Sequence, residues 1–274
     1  MFQLSSTSQV FFVIDVEYFF ADPITPCEFG VAEFSVRDGI RDQLHFFVDP
    51  GDKFPANRAL EEKTRSETVH GIPFLQRFED PRFDYVDPKS DSAVGVKNKN
   101  LYRNLFRNHD RLSRLLGNFL TDDDKNPMPV IFTLEDRSLP NGDVSAAVSG
   151  VEVAKKGCEW LFGGQSDVSG NNNDVSGGER KKIWESLEIL PLEQLFLAFH
   201  RNSKRGGLTY DPYNQYLKMF LNSGKWDFLP KSRCVFHDEI EASCVLGNVH
   251  KWCYAIFDHL NKPEPTFSEY MFLI

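Results

Sequence analysis

The chain has 274 residues, of which 41% are hydrophobic, enough to bury one sizeable core, and we expect a single domain. Its net charge of −9 argues against bulk electrostatic coating of duplex nucleic acid, but leaves RNA binding through local basic patches open. Five cysteines at scattered spacings disfavour a disulfide framework and indicate a reducing compartment, the cytosol or the nucleus.

The N-terminal part of the chain predicts three strands in an antiparallel meander. Residues 10–18 (VFFVIDVEY) are β-branched and aromatic, as in a strand covered on both faces. Residues 28–36 alternate apolar and polar side chains, and residues 43–48 follow after the turn signal Arg37-Asp38-Gly39. The chain has no basic leader and no run of about 18 apolar residues, so we expect neither a secretion signal nor a membrane span.

The rest of the chain predicts alternating helices and strands. Residues 101–120 place leucines on one face and arginines on the other, as in an amphipathic helix, and residues 129–134 (PVIFTL) predict a short buried strand. Residues 165–178 are rich in Ser, Asn, Asp and Gly and predict a disordered surface insertion. The remaining predicted elements are helices at residues 57–69, 191–201, 212–222 and 238–260 and a strand at residues 233–236.

Cys234, His237 and Cys244 form a predicted metal half-site. Cys234 and His237 are separated by two residues, a spacing at which both side chains can reach one ion. Thiolate and imidazole ligands favour zinc, and a closed structural zinc site needs four ligands, so at least one comes from elsewhere in the chain. Within one helix, His237 and Cys244 would be about 10 Å apart along its axis, so His237 must precede the first helical turn.

The other cysteines are weaker candidates. Cys253 and His250 have a helical spacing that suits a rival metal pair, although core packing is the favoured interpretation of Cys253. Cys27 and Cys158 have no partner pattern and are interpreted as packing or surface residues.

Asp15 and Glu17 resemble the paired carboxylates with which nucleases hold two metal ions. Strand alternation puts both side chains on one face, and Asp136 is a candidate third carboxylate. In the exonuclease pattern an aspartate follows the last histidine by five residues, but Ala242 has that position after His237. The site is incomplete, and a metal-dependent 3′–5′ exonuclease that uses Asp15, Glu17 and Asp136 is kept as the alternative function.

The order of elements, a meander followed by alternating helices and strands, is that of ribonuclease-H-like domains, in particular the proofreading exonucleases. Short motifs add to this pattern. They are FVIDV at residues 12–16, TPCEFG at residues 25–30, FFVDPG at residues 46–51, VHGIP at residues 69–73, and Arg233-Cys234-x-x-His237 with Cys244 beyond. In this order and spacing, over about residues 10–260, they resemble the Maelstrom domain family.

The resemblance implies an α/β fold of the ribonuclease-H-like type, in which helices flank a mixed central sheet, the ancestral magnesium site has decayed and a structural zinc site is kept. The implied single domain covers residues 8–262, with the insertion at residues 165–178 and a C-terminal tail at residues 263–274. Family members commonly carry an N-terminal high-mobility-group box, so we expect this chain to be a box-less relative or one domain of a longer protein.

The resemblance also implies four zinc ligands: a glutamate, a cysteine or histidine, a histidine and a cysteine. Glu28, in the TPCEFG segment, matches the glutamate, and His237 and Cys244 match the later ligands. Cys234 is preferred for the remaining position because only two residues separate it from His237, and His70 is the second choice.

The family acts in the germline, in piRNA-mediated transposon silencing, a form of RNA-mediated gene silencing connected with meiosis and differentiation. The resemblance implies a zinc-stabilised RNA-binding domain, in some members with weak single-stranded-RNA endonuclease activity, and it assigns no catalytic residue. Expected partners are single-stranded RNA and piRNA-pathway proteins, with no membrane and no small-molecule substrate. Expected locations are perinuclear germ granules of the cytoplasm and the nucleus. A catalytically inert interaction scaffold is a third interpretation.

Basic segments are the candidates for RNA contact, because single-strand binding combines cationic side chains with aromatic stacking. Each is also typical of an ordinary solvated surface. The candidates are Arg103, Arg107, Arg111 and Arg114 on one helix face, Arg180-Lys181-Lys182-x-Trp184, and His200-Arg201-x-x-Lys204-Arg205.

Overall fold

The computed structural model describes residues 9–21, 24–48, 72, 109–121, 130–135, 149–163, 187–202 and 244–261. These residues form an α/β arrangement in which helices flank a mixed sheet. The strands are β1 (Val10–Ala21), β2 (Ile24–Ser35), β3 (Gly39–Phe47), β4 (Val130–Thr133) and β5 (Glu188–Pro191). The helices are α1 (His109–Thr121), α2 (Gly150–Gly163), α3 (Leu192–Asn202) and α4 (Val245–Asn261).

The sheet has the strand order β3-β2-β1-β4-β5. β1 pairs antiparallel with β2 and β2 antiparallel with β3, so the predicted meander is confirmed. β4 pairs parallel with β1 on its other side, and β5 pairs parallel with β4. The long β1 therefore joins an antiparallel half of the sheet to a parallel half.

Both faces of the sheet are covered, because side chains alternate along each strand. On the first face, Phe12, Ile14 and Val16 of β1 pack in a core cluster with α1 and α2. On the second face, Phe11 and Val13 pack in another cluster with α3 and α4. The near-continuous apolar sequence of β1 follows from this double burial.

The hairpin between β2 and β3 fixes which side chains of β3 share a face with which side chains of β2. Gly39 has a positive φ of 76°, a conformation that glycine adopts without steric cost, and it closes the turn opposite Ser35. One residue further, the register shifts between Phe34↔Ile40 and Glu33↔Asp42, so that Arg41 is an extra residue on β3. This bulge moves every later residue of β3 to the opposite face.

Sequence and structure differ in three elements. α2 and β5 were not predicted, and helix α4 begins at Val245, so it does not run continuously from residue 238. The predicted helices at residues 57–69 and 212–222, the strand at residues 233–236, the insertion and the C-terminal tail lie outside the described residues. None of the helices that the structure describes has the length and apolar content needed to cross a membrane.

Candidate metal centre

A polar cluster lies where the second sheet face meets the start of α4. It consists of Glu28 on β2, His45 on β3 and Cys244 immediately before α4. Oε1 of Glu28 is 2.6 Å from Nε2 of His45 and 3.3 Å from Sγ of Cys244. Nε2 of His45 is 3.7 Å from the same Sγ. Glu28 and Cys244 are buried, and 16% of the His45 side chain is exposed.

Strand register brings the two sheet members together. His45 lies opposite Gly30, two residues from Glu28 on β2, so both side chains project from the face that α4 covers. The Arg41 bulge is responsible, because in a regular register, with Arg41 opposite Glu33, His45 would lie opposite Phe29 and point to the face covered by α1 and α2. The edge of the His45 ring also contacts Phe47, with ring centroids 5.0 Å apart.

Cys244 reaches the cluster because the backbone of α4 approaches the sheet closely at Gly30. A Cβ atom at Gly30 would lie only 2.6 Å from the backbone nitrogen of Leu246, so no larger residue fits there without moving the helix. Cys244 precedes the first helical residue, and its carbonyl accepts a hydrogen bond from the N–H of Asn248. The cluster therefore lies at a helix N-terminus, where negative charge on Glu28 or Cys244 is stabilised.

Electrostatic interactions within the cluster are strong. Burial lowers the pKa of His45, but hydrogen bonds with Cys244 and Glu28 and their charges outweigh it and raise the pKa to about 10. His250 is further along α4, and its Nε2 is buried without a hydrogen-bond partner. Burial lowers the pKa of His250, and interactions with Cys244 and His45 act on it in opposite directions.

The chemistry of the three side chains suits a metal ion. One carboxylate oxygen, one imidazole nitrogen and one thiol sulfur all lie within 4.8 Å of one another. Carboxylate, imidazole and thiolate are all ligands that zinc accepts. The cluster could hold a metal ion, provided that the thiol and the imidazole lose their protons when it binds.

The structure brings together two of the residues predicted from the sequence, Glu28 and Cys244. Cys234, His237 and the second-choice ligand His70 lie outside the described residues. Cys244 lies immediately before α4 and not within it. The separation of about 10 Å that was expected if Cys244 and His237 shared one helix is therefore not imposed by α4. His45 was missed. The sequence indicates only that His45 lies on a predicted strand next to the strand of Glu28. Whether its side chain points toward Glu28 depends on the register of the two strands, which the sequence does not give.

Asp15 and Glu17 lie on the same side of β1 as the cluster. Asp15 is fully buried, its Oδ1 accepts the Val16 N–H at 3.0 Å, and its Oδ2 accepts the Asn248 amide at 2.9 Å. Glu17 is directly opposite Glu28 in the β1–β2 register. Asp136 lies outside the described residues. The Asp15 carboxylate thus accepts a hydrogen bond from α4. A two-metal nuclease site would instead require several carboxylates to converge on the metal ions.

The other predicted residues have separate positions. Cys253 is fully buried in the core cluster beneath α4, which confirms the packing interpretation, and burial raises its pKa. Burial also raises the pKa of the Cys158 thiol, to about 12. Of the candidate RNA-binding residues, Arg114 on α1 is exposed and Arg111 is half-buried. For the remaining basic candidates, side-chain positions lie outside the described residues.

Comparison with known proteins agrees with the motif pattern. Residues 17–82 and 97–268 match the family model Maelstrom, described as a piRNA pathway germ-plasm component. The human protein maelstrom homolog is 21% identical over 236 residues, which cover 86% of this chain and 40% of the human protein. The Culex quinquefasciatus homolog is 23% identical, with coverage of 85% and 36%.

The Xenopus tropicalis homolog is 22% identical, over 84% of this chain and 41% of its own length. The chain thus spans about two fifths of the curated relatives that it matches. The family match itself extends over most of the sequence. The chain belongs to the Maelstrom family.

Proposed function

We propose that this chain is a zinc-stabilised, RNA-binding domain of ribonuclease-H-like fold that acts in piRNA-mediated transposon silencing. The buried Glu28–His45–Cys244 cluster is the observation that carries the zinc part of the proposal. Family membership supports the pathway, since the family description names a piRNA pathway germ-plasm component. Single-stranded RNA and other piRNA-pathway proteins are the proposed partners, and perinuclear germ granules and the nucleus are the proposed locations.

The proposed zinc ligands are Glu28, Cys234, His237 and Cys244. Glu28 and Cys244 come from elements 216 residues apart in sequence, and their ligand atoms are 3.3 Å apart. This separation is close to the about 3.5 Å expected for an oxygen and a sulfur at tetrahedral positions around one zinc. Bound zinc would join β2 to the start of α4, so that metal binding would contribute directly to folding stability.

The ribonuclease-H-like assignment rests on topology. A three-stranded antiparallel meander, with β1 central and parallel to β4 and β5, supports it. After the meander, helices and strands alternate in the order α1, β4, α2, β5 and α3. In the proposed fold the carboxylate of Asp15 has no catalytic role. It stabilises the position of α4 by accepting a hydrogen bond from Asn248.

Metal content of the purified protein tests the zinc site. We expect about one zinc per chain by mass spectrometry, lost in Cys244→Ala and Glu28→Gln together with a lower melting temperature. Cys253→Ala is the matched control, because it removes a buried thiol from α4, the helix that Cys244 precedes, and Cys253 belongs to the apolar core cluster. It should retain zinc. A parent protein without zinc, or equal zinc in the Cys244 and Cys253 variants, contradicts the proposal.

RNA binding is tested separately with one sequence as a single strand and as a duplex. We expect preference for the single strand and an affinity that falls as salt increases, because basic side chains release counterions when they bind phosphates. Any weak endonuclease activity should survive Asp15→Asn, since the proposal gives that residue no catalytic role. Loss of cleavage by orders of magnitude in Asp15→Asn, with 3′-end trimming that requires magnesium or manganese, would instead favour the exonuclease.

A further inference from the structure

Basic side chains are concentrated on the outer side of α1 and α2, the helices that cover the first sheet face. Four of them are exposed or half-buried there: Arg111, Arg114, Lys155 and Lys156. Glu152 and Glu159 are the acidic residues of these helices whose side chains the structure describes. Among the other side chains that it describes, ten are acidic and only Arg37, Arg41 and Lys251 are basic. Positive charge thus has a local surplus on α1 and α2, although the whole chain has a net charge of −9.

Helical spacing aligns these groups in stripes. Residues three or four positions apart are neighbours on a helix surface. Arg111 and Arg114 are such neighbours on α1, and Lys156 and Trp160 are such neighbours on α2. The two helices contact each other and pack against one core cluster. Their outer stripes therefore belong to one surface of the domain.

Trp160 adds an aromatic ring to this surface. It is half-buried and packs against the apolar cluster beneath α1 and α2, so part of the side chain remains at the surface. This packing restricts the indole without covering it, which suits a platform on which a base can stack. Lys156, four residues earlier, forms an exposed ion pair with Glu159 at 2.9 Å. Exposed pairs of this kind are weak, so a phosphate group can replace the carboxylate.

The combination of cations and an indole distinguishes between anionic partners. An acidic peptide requires only the cations, whereas single-stranded RNA uses cations for its phosphates and aromatic rings for its bases. A duplex keeps its bases stacked inside and would leave the Trp160 ring unused. The surface therefore fits a single strand better than either alternative.

We propose, on the basis of the RNA-binding function inferred above, that the α1–α2 surface binds single-stranded RNA. We define this surface by Arg111, Arg114, Lys155, Lys156 and Trp160. The basic side chains contact phosphates along the strand, and the Trp160 ring stacks on one base.

The α1–α2 surface lies on the opposite side of the sheet from the polar residues. Ile14 and Val16 of β1 pack toward α1 and α2, whereas Asp15 between them is hydrogen-bonded to α4. RNA at the α1–α2 surface is separated from the Asp15 carboxylate by a helix layer and the sheet itself. Binding there does not depend on the carboxylates of an exonuclease site.

Fluorescence anisotropy of a labelled single-stranded RNA of mixed sequence, titrated with the full chain at several salt concentrations, tests the cations. Each phosphate contact of a single strand changes the slope of log K against log salt by about −0.7, or about 5-fold in affinity at about 0.1 M salt. The double variant Arg114→Ala with Lys155→Ala should therefore bind about 25-fold more weakly, with a slope shallower by about 1.4. Both side chains are exposed, so its melting temperature should match the parent.

The matched control is Arg37→Ala with Arg41→Ala. It removes the same charge from exposed positions of the β2–β3 hairpin, where Gly39 lies close to Phe257 of α4. Its RNA affinity should stay within a fewfold of the parent. An equal loss of affinity in both double variants would show that only net charge matters and would overturn the α1–α2 surface.

Trp160→Leu tests the stacking contact. Loss of one base–aromatic stack should weaken binding by about 5–150-fold and leave the salt slope unchanged. Trp160→Phe keeps a smaller ring and should recover part of the affinity. Melting temperatures of both variants separate this effect from unfolding, because leucine and phenylalanine each retain apolar packing beneath the helix.

The outcomes separate the surface from the proposed function. A parent that binds no single-stranded RNA would refute RNA binding itself. A parent that binds it, with parental affinity in the Arg114 and Lys155 double variant, would overturn the α1–α2 surface alone. The same holds if that variant keeps its RNA affinity and loses only binding to a polyglutamate peptide, since the surface would then dock an acidic protein segment.

Discussion

The two faces of the sheet are stabilised by different interactions. The face toward α1 and α2 is covered by an apolar cluster that includes Ile14 and Phe29. The face toward α4 is apolar at Phe11 and Val13, but it becomes polar toward Asp15, Glu28 and His45. Apolar burial requires only that side chains fit, whereas buried polar groups require specific partners. The zinc site proposed above therefore predicts that metal removal weakens the α4 face and not the other face.

A substitution that creates a cavity beneath α1 and α2 should have the largest effect on the free energy of unfolding. It should leave the zinc content unchanged. Leu116 of α1 is fully buried, and Leu116→Ala should lower the free energy of unfolding by about 2–5 kcal/mol. Urea unfolding measures this loss. The folded fraction should keep its zinc content, because Leu116 belongs to the cluster beneath α1 and α2. Loss of zinc from folded Leu116→Ala would show that the two faces are coupled.

Gly30 on β2 contacts α4 on one side of the sheet, and Gly157 on α2 contacts β1 and β2 on the other side. Alanine at each position gives a matched pair of substitutions. At Gly30 a Cβ would meet α4 backbone at 2.6 Å, whereas at Gly157 it would meet the Val16 side chain at 2.9 Å and Phe29 at 3.3 Å. Gly30→Ala should cost toward the upper end of about 1–3 kcal/mol, because helix backbone cannot move aside alone. It should also weaken zinc binding by displacing Cys244.

Gly157→Ala is expected to be milder. Alanine gains about 1 kcal/mol over glycine within a helix, which offsets much of the crowding if the Val16 side chain shifts. The melting temperature and the zinc content of Gly30→Ala and Gly157→Ala, each compared with the parent, test this prediction. Equal losses of stability, or zinc retained at parental affinity in Gly30→Ala, would contradict the close approach of α4 to the sheet.

A smaller effect than that of Leu116→Ala is expected at the hydrogen bond between α4 and β1. Asn248→Ala removes the amide that binds Oδ2 of the buried Asp15, and we expect a loss of about 1–3 kcal/mol. The exchanged pair Asp15→Asn with Asn248→Asp keeps a donor and an acceptor at the same place. Chemical denaturation should show that the exchange recovers part of the loss. A double variant no better than the sum of the single ones would exclude a direct interaction.

Sequence periodicity predicted the elements whose pattern is strong. β1 to β4 and α1 have long apolar or alternating runs, and the structure contains all of them. β5 has only four residues and ends in Pro191, which instead indicated the start of a helix. α2 contains two valines and Gly157, which weaken its helical signal, although Val153, Ala154, Cys158 and Leu161 recur at helical spacing.

The candidate site was partly predictable for a different reason. Glu28 and Cys244 belong to short motifs, so the resemblance identified them before any contact was known. His45 belongs to no such motif, and its place depends on one extra residue, Arg41, in β3. A single-residue shift in register reverses the faces of a strand, and local sequence does not determine it. Arg41 itself is at the surface, where it pairs with Glu33 at 2.9 Å.

The sequence separation of Glu28 and Cys244 has a consequence for biosynthesis. Ribosomes deliver β2 early and Cys244 216 residues later, so the cluster cannot assemble on a nascent chain until almost the whole domain has been translated. Until then, the carboxylate of Glu28 lies on a sheet face without the helix that covers it. The cluster would thus form only after Cys244 has been translated. Chains that terminate before residue 244 would keep this sheet face exposed, where chaperones and proteases could bind it.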